Sequence, residues 1–102
     1  MRLKNKISVI TGGSRGIGAA TVKRFVEEGS KVYIFDILDS EGTELANQLE
    51  KENFFVKFMK VNIKNEDEIK KAFLSIKLYI CNTLFFFNLI IIYFVAKYSI
   101  FH

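Results

Sequence analysis

Up to about residue 76, the hydrophobic pattern of the chain alternates between two kinds of segment. Short apolar runs rich in β-branched residues predict buried strands at Ile7–Thr11, at Lys31–Asp36 and at about 54–61. After each strand, apolar residues recur every three or four positions, which predicts helices over about 16–28, 40–52 and 65–76. The resulting order βαβαβα indicates an α/β fold with a parallel sheet.

Polar residues and a glycine mark where these helices begin and end. Ser40 and Asn65 are suited to be N-caps of the second and third helices. Glu68, three positions after Asn65, completes a pattern typical of a capping box. Gly29 follows the first helix at the position that favours a left-handed backbone.

A glycine-rich turn separates the first strand from the first helix. Gly12 lets the chain leave the strand tightly, Gly16 lets a phosphate approach the backbone, and Gly18 lets the helix lie close to the strand. The free N–H groups of the helix N-terminus would then face the phosphates. Asp36 ends the second strand, where its carboxylate would reach a ribose. This context predicts a nucleotide site.

The glycine spacing in the string TGGSRGIGAA resembles the short-chain dehydrogenase/reductase family, and the resemblance extends over about residues 2–76. It implies an NAD(P)-binding half-domain over 1–76. This would be a partial Rossmann fold with a parallel three-stranded sheet in the order 3-2-1 and its first two helices on one face. The cofactor-binding residues that the resemblance implies are Gly12, Ser14, Arg15, Gly16, Ile17, Gly18, Asp36, Ile37, Asn62 and Ile63.

Two of these positions bear on how a cofactor is recognised. Asn62 stands where the family usually has an aspartate that meets the adenine. An amide can still bind an adenine edge, although a polar residue at a strand end needs no ligand to explain it. Asp36 favours NAD over NADP, because its carboxylate would repel a 2′-phosphate. Arg15 opposes this preference, since an arginine at this place often meets that phosphate in similar family members.

The resemblance also implies an oxidoreductase that moves hydride between the nicotinamide cofactor and a small-molecule alcohol or carbonyl. The family takes its catalytic Ser, Tyr and Lys from a later part of the domain. Tyr93 and Lys97 have the family's Tyr-x3-Lys spacing, but they follow Gly18 too soon, and we attribute the match to chance. We therefore expect a chain truncated before the catalytic residues that retains dinucleotide binding. The alternative is a non-catalytic dinucleotide-binding module, with or without a membrane anchor.

Charge and cysteine content narrow the classes of partner. The net charge of +4 comes from lysines that are interleaved with glutamates, and no basic stripe with stacking aromatics is present. The pattern therefore argues against a nucleic-acid partner. Cys81 is the single cysteine, which argues against a disulfide framework and a metal cluster and is consistent with a cytoplasmic location.

The pattern changes at residue 77, because the last acidic residue is Glu68 and the segment 77–102 is mostly apolar. We expect this tail to be helical, and three explanations of it stay open. It could hold a membrane span over 78–96, which is uncharged and close to the roughly 20 residues required. It could be a strand or helix that covers the open sheet edge. The explanation that we favour is a mistranslated or truncated end, because residues with A/T-rich codons dominate it.

Overall fold

The computed structural model describes residues 3–83 and 90–94, and its side-chain environments cover residues 3–77. Its elements in chain order are β1 (Ile7–Thr11), α1 (Gly16–Glu27), β2 (Lys31–Asp36), α2 (Asp39–Lys51), β3 (Val56–Lys60), α3 (Glu66–Thr83) and β4 (Ile90–Phe94). The strands form one sheet in the order β3-β2-β1-β4, and every pair is parallel. The predicted partial Rossmann fold and its strand order 3-2-1 are confirmed.

The tail is helical, as expected, up to Thr83, but the fourth strand corrects this expectation for Ile90–Phe94. β4 pairs with β1 in a register that runs from Ile7 opposite Ile90 to Thr11 opposite Phe94. Its sequence, IIIYF, has the β-branched and aromatic residues that favour strands, and β1 otherwise has an open edge on this side. The proposed span 78–96 is therefore not one continuous helix. Within the described residues, no helix is both long and apolar enough to cross a membrane.

This strand pairing agrees with the alternative in which the tail covers the sheet edge. α3 continues to Thr83, past the position where the sequence suggested a division into segments 1–76 and 77–102. That division and the mistranslated end stay predictions. Lys97, the second member of the Tyr-x3-Lys match, lies outside the described residues, and Tyr93 lies in β4.

The two faces of the sheet carry separate hydrophobic clusters, because successive strand residues point to opposite faces. Ile10 and Ile34 belong to the cluster under α1 and α2, which includes Val22, Val26, Leu45 and Leu49. Val9 and Phe35 belong to the cluster under α3, which includes Val61, Ala72 and Ile76. The predicted placement of the first two helices on one face is confirmed.

Of the two predicted N-caps, Ser40 is wrong and Asn65 is confirmed. α2 begins at Asp39 rather than after Ser40, and its N-cap, Leu38, makes no side-chain capping bond. Asn65 does cap α3, because its Oδ1 accepts hydrogen bonds from the backbone N–H groups of Asp67 and Glu68, at 3.0 and 3.2 Å.

The side chain of Glu68 does not close the expected capping box. Its Oε1 accepts from the backbone N–H of Asn62 at 2.9 Å, while the N–H of Asn65 donates to the carbonyl oxygen of Asn62. The carboxylate therefore ties the loop after β3 to α3. Gly29 has φ +98°, so its predicted left-handed conformation is confirmed.

α1 buries a narrow stripe of residues against the sheet. Gly18, Val22 and Val26 are its buried residues, spaced by four positions along the helix. Ile17, the residue before Gly18, is 65% exposed. The reason is that the glycine turn brings the helix to the sheet at Gly18, which leaves the preceding residue facing outward.

Candidate functional site

The carboxyl ends of three neighbouring strands meet at a crevice of about 350 Å³. Gly12 follows β1, Asp36 ends β2, and Asn62 lies two positions after β3. This is the edge of an open parallel sheet where ligands bind in α/β proteins. Eight residues line it: Gly12, Phe35, Asp36, Ile37, Val61, Asn62, Ile63 and Lys64. Five of the predicted site residues are therefore brought together here, namely Gly12, Asp36, Ile37, Asn62 and Ile63.

Asp36 connects the crevice to the glycine turn. Its side chain is only 5% exposed. One carboxylate oxygen, Oδ2, accepts a hydrogen bond from the backbone N–H of Ser14 at 3.2 Å, and Oδ1 accepts from the N–H of Ile37 at 2.8 Å. Each oxygen of an ionised carboxylate has two lone-pair sites, so both oxygens keep capacity for a further donor. The carboxylate is thus held in place at the crevice and can still accept bonds from ribose hydroxyls.

The three glycines of the turn differ in their surroundings. Gly12 has φ +69°, and its N–H donates to the carbonyl oxygen of Phe35 at 2.9 Å. A Cβ on Gly18 would overlap the carbonyl oxygen of Gly12, so the turn and α1 touch backbone to backbone. Gly16 has φ +61°, and no described atom lies within 4 Å of where its Cβ would be. The turn is therefore closely packed at Gly18 and open at Gly16.

Two buried hydroxyl groups lie at the ends of this turn. Thr11 and Ser14 are 3% and 6% exposed, and neither hydroxyl oxygen has a hydrogen-bond partner within the described part of the chain. A buried polar group without a partner costs about 1–3 kcal/mol. The N-cap of α1, Arg15, likewise makes no side-chain capping bond. Unpaired donors at a helix N-terminus suit an anionic ligand.

Arg15 and Ile17 are exposed residues outside the crevice lining, whereas Ile37 and Asn62 are exposed members of it. The guanidinium of Arg15 forms an exposed ion pair with Glu41 of α2, with 3.7 Å between Nη1 and Oε2. Ile17 and Ile37 are 65% and 55% exposed. The side-chain Oδ1 of Asn62 accepts from the backbone N–H of Lys64 at 2.9 Å, which is the turn geometry of a polar residue leaving a strand.

Sequence reasoning did not single out Thr11, Glu41 or Lys64. Thr11 and Lys64 could have been found by position, because each adjoins a predicted site residue in the chain. Glu41 has no such signal, since it lies beside Arg15 only through the docking of α2 against the turn.

The family model described as short chain dehydrogenase matches residues 6–80. The chain belongs to the short-chain dehydrogenase family. Short-chain dehydrogenases are oxidoreductases that generally use a nicotinamide dinucleotide and act on small molecules.

Two curated relatives illustrate the extent of the match. Short chain aldehyde dehydrogenase 1 of Euphorbia lathyris is 41% identical over 71 residues, which is 70% of this chain and 24% of that protein. An uncharacterized oxidoreductase of Thermotoga maritima is 38% identical over 68 residues, which is 67% of this chain and 27% of that protein. The chain thus spans about a quarter of the length of these relatives.

A solved structure also matches most of this chain with a small part of its own length. The crystal structure of gox2181 superposes with a TM-score of 0.73 at 28% identity. The superposition covers 76% of this chain and 30% of that one. The described part of the chain therefore has the fold of one portion of a short-chain dehydrogenase.

Proposed function

We propose that this chain binds a nicotinamide dinucleotide in the crevice at the carboxyl ends of β1, β2 and β3, with NAD(H) preferred to NADP(H). The observation that carries the proposal is the convergence of Gly12, Asp36 and Asn62 from three separate strand ends on one crevice of about 350 Å³. This volume lies in the range of small-molecule sites, about 300–1,000 Å³.

The glycine turn would hold the pyrophosphate. The N-terminus of α1 lacks a side-chain cap, so its free N–H groups can donate to an anion. The buried hydroxyl of Ser14 lacks a partner, and a phosphate oxygen would supply one. The open space beside Gly16 leaves room for the ligand to reach the backbone.

The adenosine end would lie against β2 and the loop after β3. Asp36 would accept hydrogen bonds from the ribose hydroxyls, and Asn62 with Ile63 would border the adenine. Among the side chains that the structure describes, the exposed large hydrophobic ones are Ile17, Ile37 and Leu74. Two of these three flank the site, as expected for side chains that gain apolar contact when a cofactor binds.

The preference for NAD(H) should depend on the charge of Asp36. A charge-assisted hydrogen bond to a ribose hydroxyl contributes about 1.5–3 kcal/mol. The same carboxylate opposes a 2′-phosphate about 4 Å away by about 1–4 kcal/mol. We therefore expect the unsubstituted chain to bind NADH at least about tenfold more tightly than NADPH, and Asp36→Asn to narrow this ratio.

Fluorescence titration of both cofactors tests this preference. Asp36→Asn is a better variant than Asp36→Ala, because an amide oxygen can still accept one of the bonds that hold the turn. Asp39→Asn on α2 is the matched control for a changed charge nearby, and it should leave the ratio of the two affinities closer to that of the unsubstituted chain. Tighter binding of NADPH than NADH by the unsubstituted chain would contradict the assignment.

We propose hydride transfer to or from an alcohol or carbonyl as the activity of a full-length short-chain dehydrogenase domain, of which this chain matches one part. Within residues 3–83, no tyrosine is followed four positions later by a lysine. Tyr93 lies in a strand, so it does not share a helix face with a residue four positions on. The described residues would thus form the cofactor site, and proton transfer would require groups outside them.

We predict that removing the hydroxyl of Ser14 weakens cofactor binding without lowering the stability of the fold. Ser14→Ala should weaken NADH binding by about 0.5–1.5 kcal/mol, or about two- to tenfold, because one hydrogen bond to the phosphate is lost. The thermal midpoint without ligand should stay equal or rise, since the hydroxyl that is removed has no partner in the described structure. Both quantities can be measured by calorimetry.

Ser8→Ala is the matched control for Ser14→Ala. The hydroxyl of Ser8 is buried and lies 2.6 Å from that of Ser30, near the opposite end of β1. Its loss should lower the thermal midpoint and leave NADH affinity unchanged. If Ser14→Ala instead lowered stability and left affinity unchanged, the hydroxyl would not be a phosphate ligand.

A further inference from the structure

The pairing of Arg15 with Glu41 bears on cofactor choice, and the inference drawn from it rests on the proposed function. Arg15 directly follows Ser14, whose N–H is bonded to the Asp36 carboxylate. Its guanidinium is the cationic group of the turn over residues 12–16, and its backbone lies one residue from the bond to Asp36. In the structure this guanidinium faces Oε2 of Glu41 at 3.7 Å.

The backbone of Glu41 cannot move away from the turn easily. The next residue, Gly42, packs so closely that a Cβ there would overlap the ring of Phe58 and lie 2.8 Å from Oγ of Ser14. The N–H of Gly42 also donates to the carbonyl oxygen of Leu38 at 2.9 Å. The first turn of α2 is thus held against the glycine turn, and the carboxylate of Glu41 stays within reach of Arg15.

We propose that Glu41 is a specificity-determining residue, which withholds Arg15 from the 2′-phosphate of NADP(H) and thereby favours NAD(H). To bind NADPH, Arg15 must exchange its partner for the phosphate, and Glu41 is left near a second negative group. NADH has no 2′-phosphate and requires neither change. Discrimination by a repulsive group against the wrong ligand is a general route to specificity.

The exposure of the pair determines the size of the effect. The side chains of Arg15 and Glu41 are 69% and 46% exposed, so water and salt screen their charges. Glu41→Gln should therefore raise NADPH affinity by about two- to fivefold and change NADH affinity by less than about twofold. The gain should shrink in about 1 M salt, where the screening length falls to about 3 Å.

A double-substitution cycle separates the release of Arg15 from the simple loss of a negative charge. NADH and NADPH are titrated against the full chain and against Glu41→Gln, Arg15→Ala and the double variant. The proposal expects the NADPH gain of Glu41→Gln to vanish when Arg15 is also replaced. Glu52→Gln, at the other end of α2 and also exposed, is the matched control and should leave both affinities unchanged.

Three results would contradict the role of Glu41, and one of them would also contradict the proposed function. Failure of the unsubstituted chain to bind either cofactor overturns the proposed function and this inference together. NADH binding with a cofactor ratio that Glu41→Gln leaves unchanged overturns the role of Glu41 alone. A gain that persists in the Arg15→Ala background also overturns it, because Glu41 would then act without Arg15.

Discussion

Gly18→Ala is expected to destabilise the fold more than any other single methyl group added to the glycine turn. The new Cβ would overlap the carbonyl oxygen of Gly12 and lie 2.7 Å from its carbonyl carbon and 2.9 Å from Cα of Gly13. These are backbone atoms, so no side chain can rotate away to make room. Relief requires α1 to move off the strand, which also disturbs the packing of Val22 and Val26 beneath it.

The expected loss for Gly18→Ala is at the upper end of overpacking costs, about 3 kcal/mol or more. For a domain of about 100 residues this lowers the thermal midpoint by about 12–24 °C. Small domains are only marginally stable, so the variant is expected to be largely unfolded at moderate temperature. Thermal unfolding followed by circular dichroism measures the change.

Gly16→Ala is the control for this experiment. It adds the same methyl group to the same turn, but no described atom lies within 4 Å of its position. Its cost comes from φ +61° alone and should be about 1–2 kcal/mol. Equal stability losses from Gly18→Ala and Gly16→Ala would contradict the close contact of α1 with Gly12.

Gly16→Val is expected to abolish dinucleotide binding, with affinity lowered by about 100-fold or more. The open space beside Gly16 is where the pyrophosphate would approach the backbone, and a branched side chain would fill it. The loss exceeds that of Ser14→Ala, because bulk excludes the ligand whereas a missing hydroxyl removes one bond. Calorimetric titration with NADH measures it, and circular dichroism confirms that the variant is folded.

The valine also strains the backbone, since a β-branched residue rarely adopts φ +61°. Gly29→Val controls for this strain, because Gly29 has φ +98° and lies just beyond the other end of α1. It should lower stability and leave NADH affinity nearly unchanged. If both valine variants lost affinity equally, strain rather than exclusion would be the cause, and the turn would not be a phosphate cradle.

Local sequence patterns were enough to predict the strands and helices of the first part of the chain, and the resemblance to the family supplied their order in the sheet. Runs such as Ile7–Thr11 are apolar because both faces of a central parallel strand are buried. Asn65 caps α3 through bonds to N–H groups two and three positions away, so its role depends on neighbours in the chain. The glycine spacing and the acid that ends β2 likewise indicated the crevice through patterns along the chain.

The tertiary structure decided the features that depend on contacts between distant segments. The bond from Ser14 to Asp36 and the pairing of Arg15 with Glu41 join residues more than twenty positions apart. The outward position of Ile17 follows from where α1 meets the sheet. The apolar tail could not be read as a strand from its composition, because a short apolar run fits a helix or a strand equally.

Ile90–Phe94 forms a strand because β1 otherwise has an open edge on this side. The N–H and C=O groups at that edge pair with this five-residue strand in register. The sequence by itself thus determined the strands and helices up to about residue 76 and the position of the glycine turn between β1 and α1. Only the folded sheet determined which side chains meet around that turn, because strand register and helix docking bring together residues that no local pattern connects.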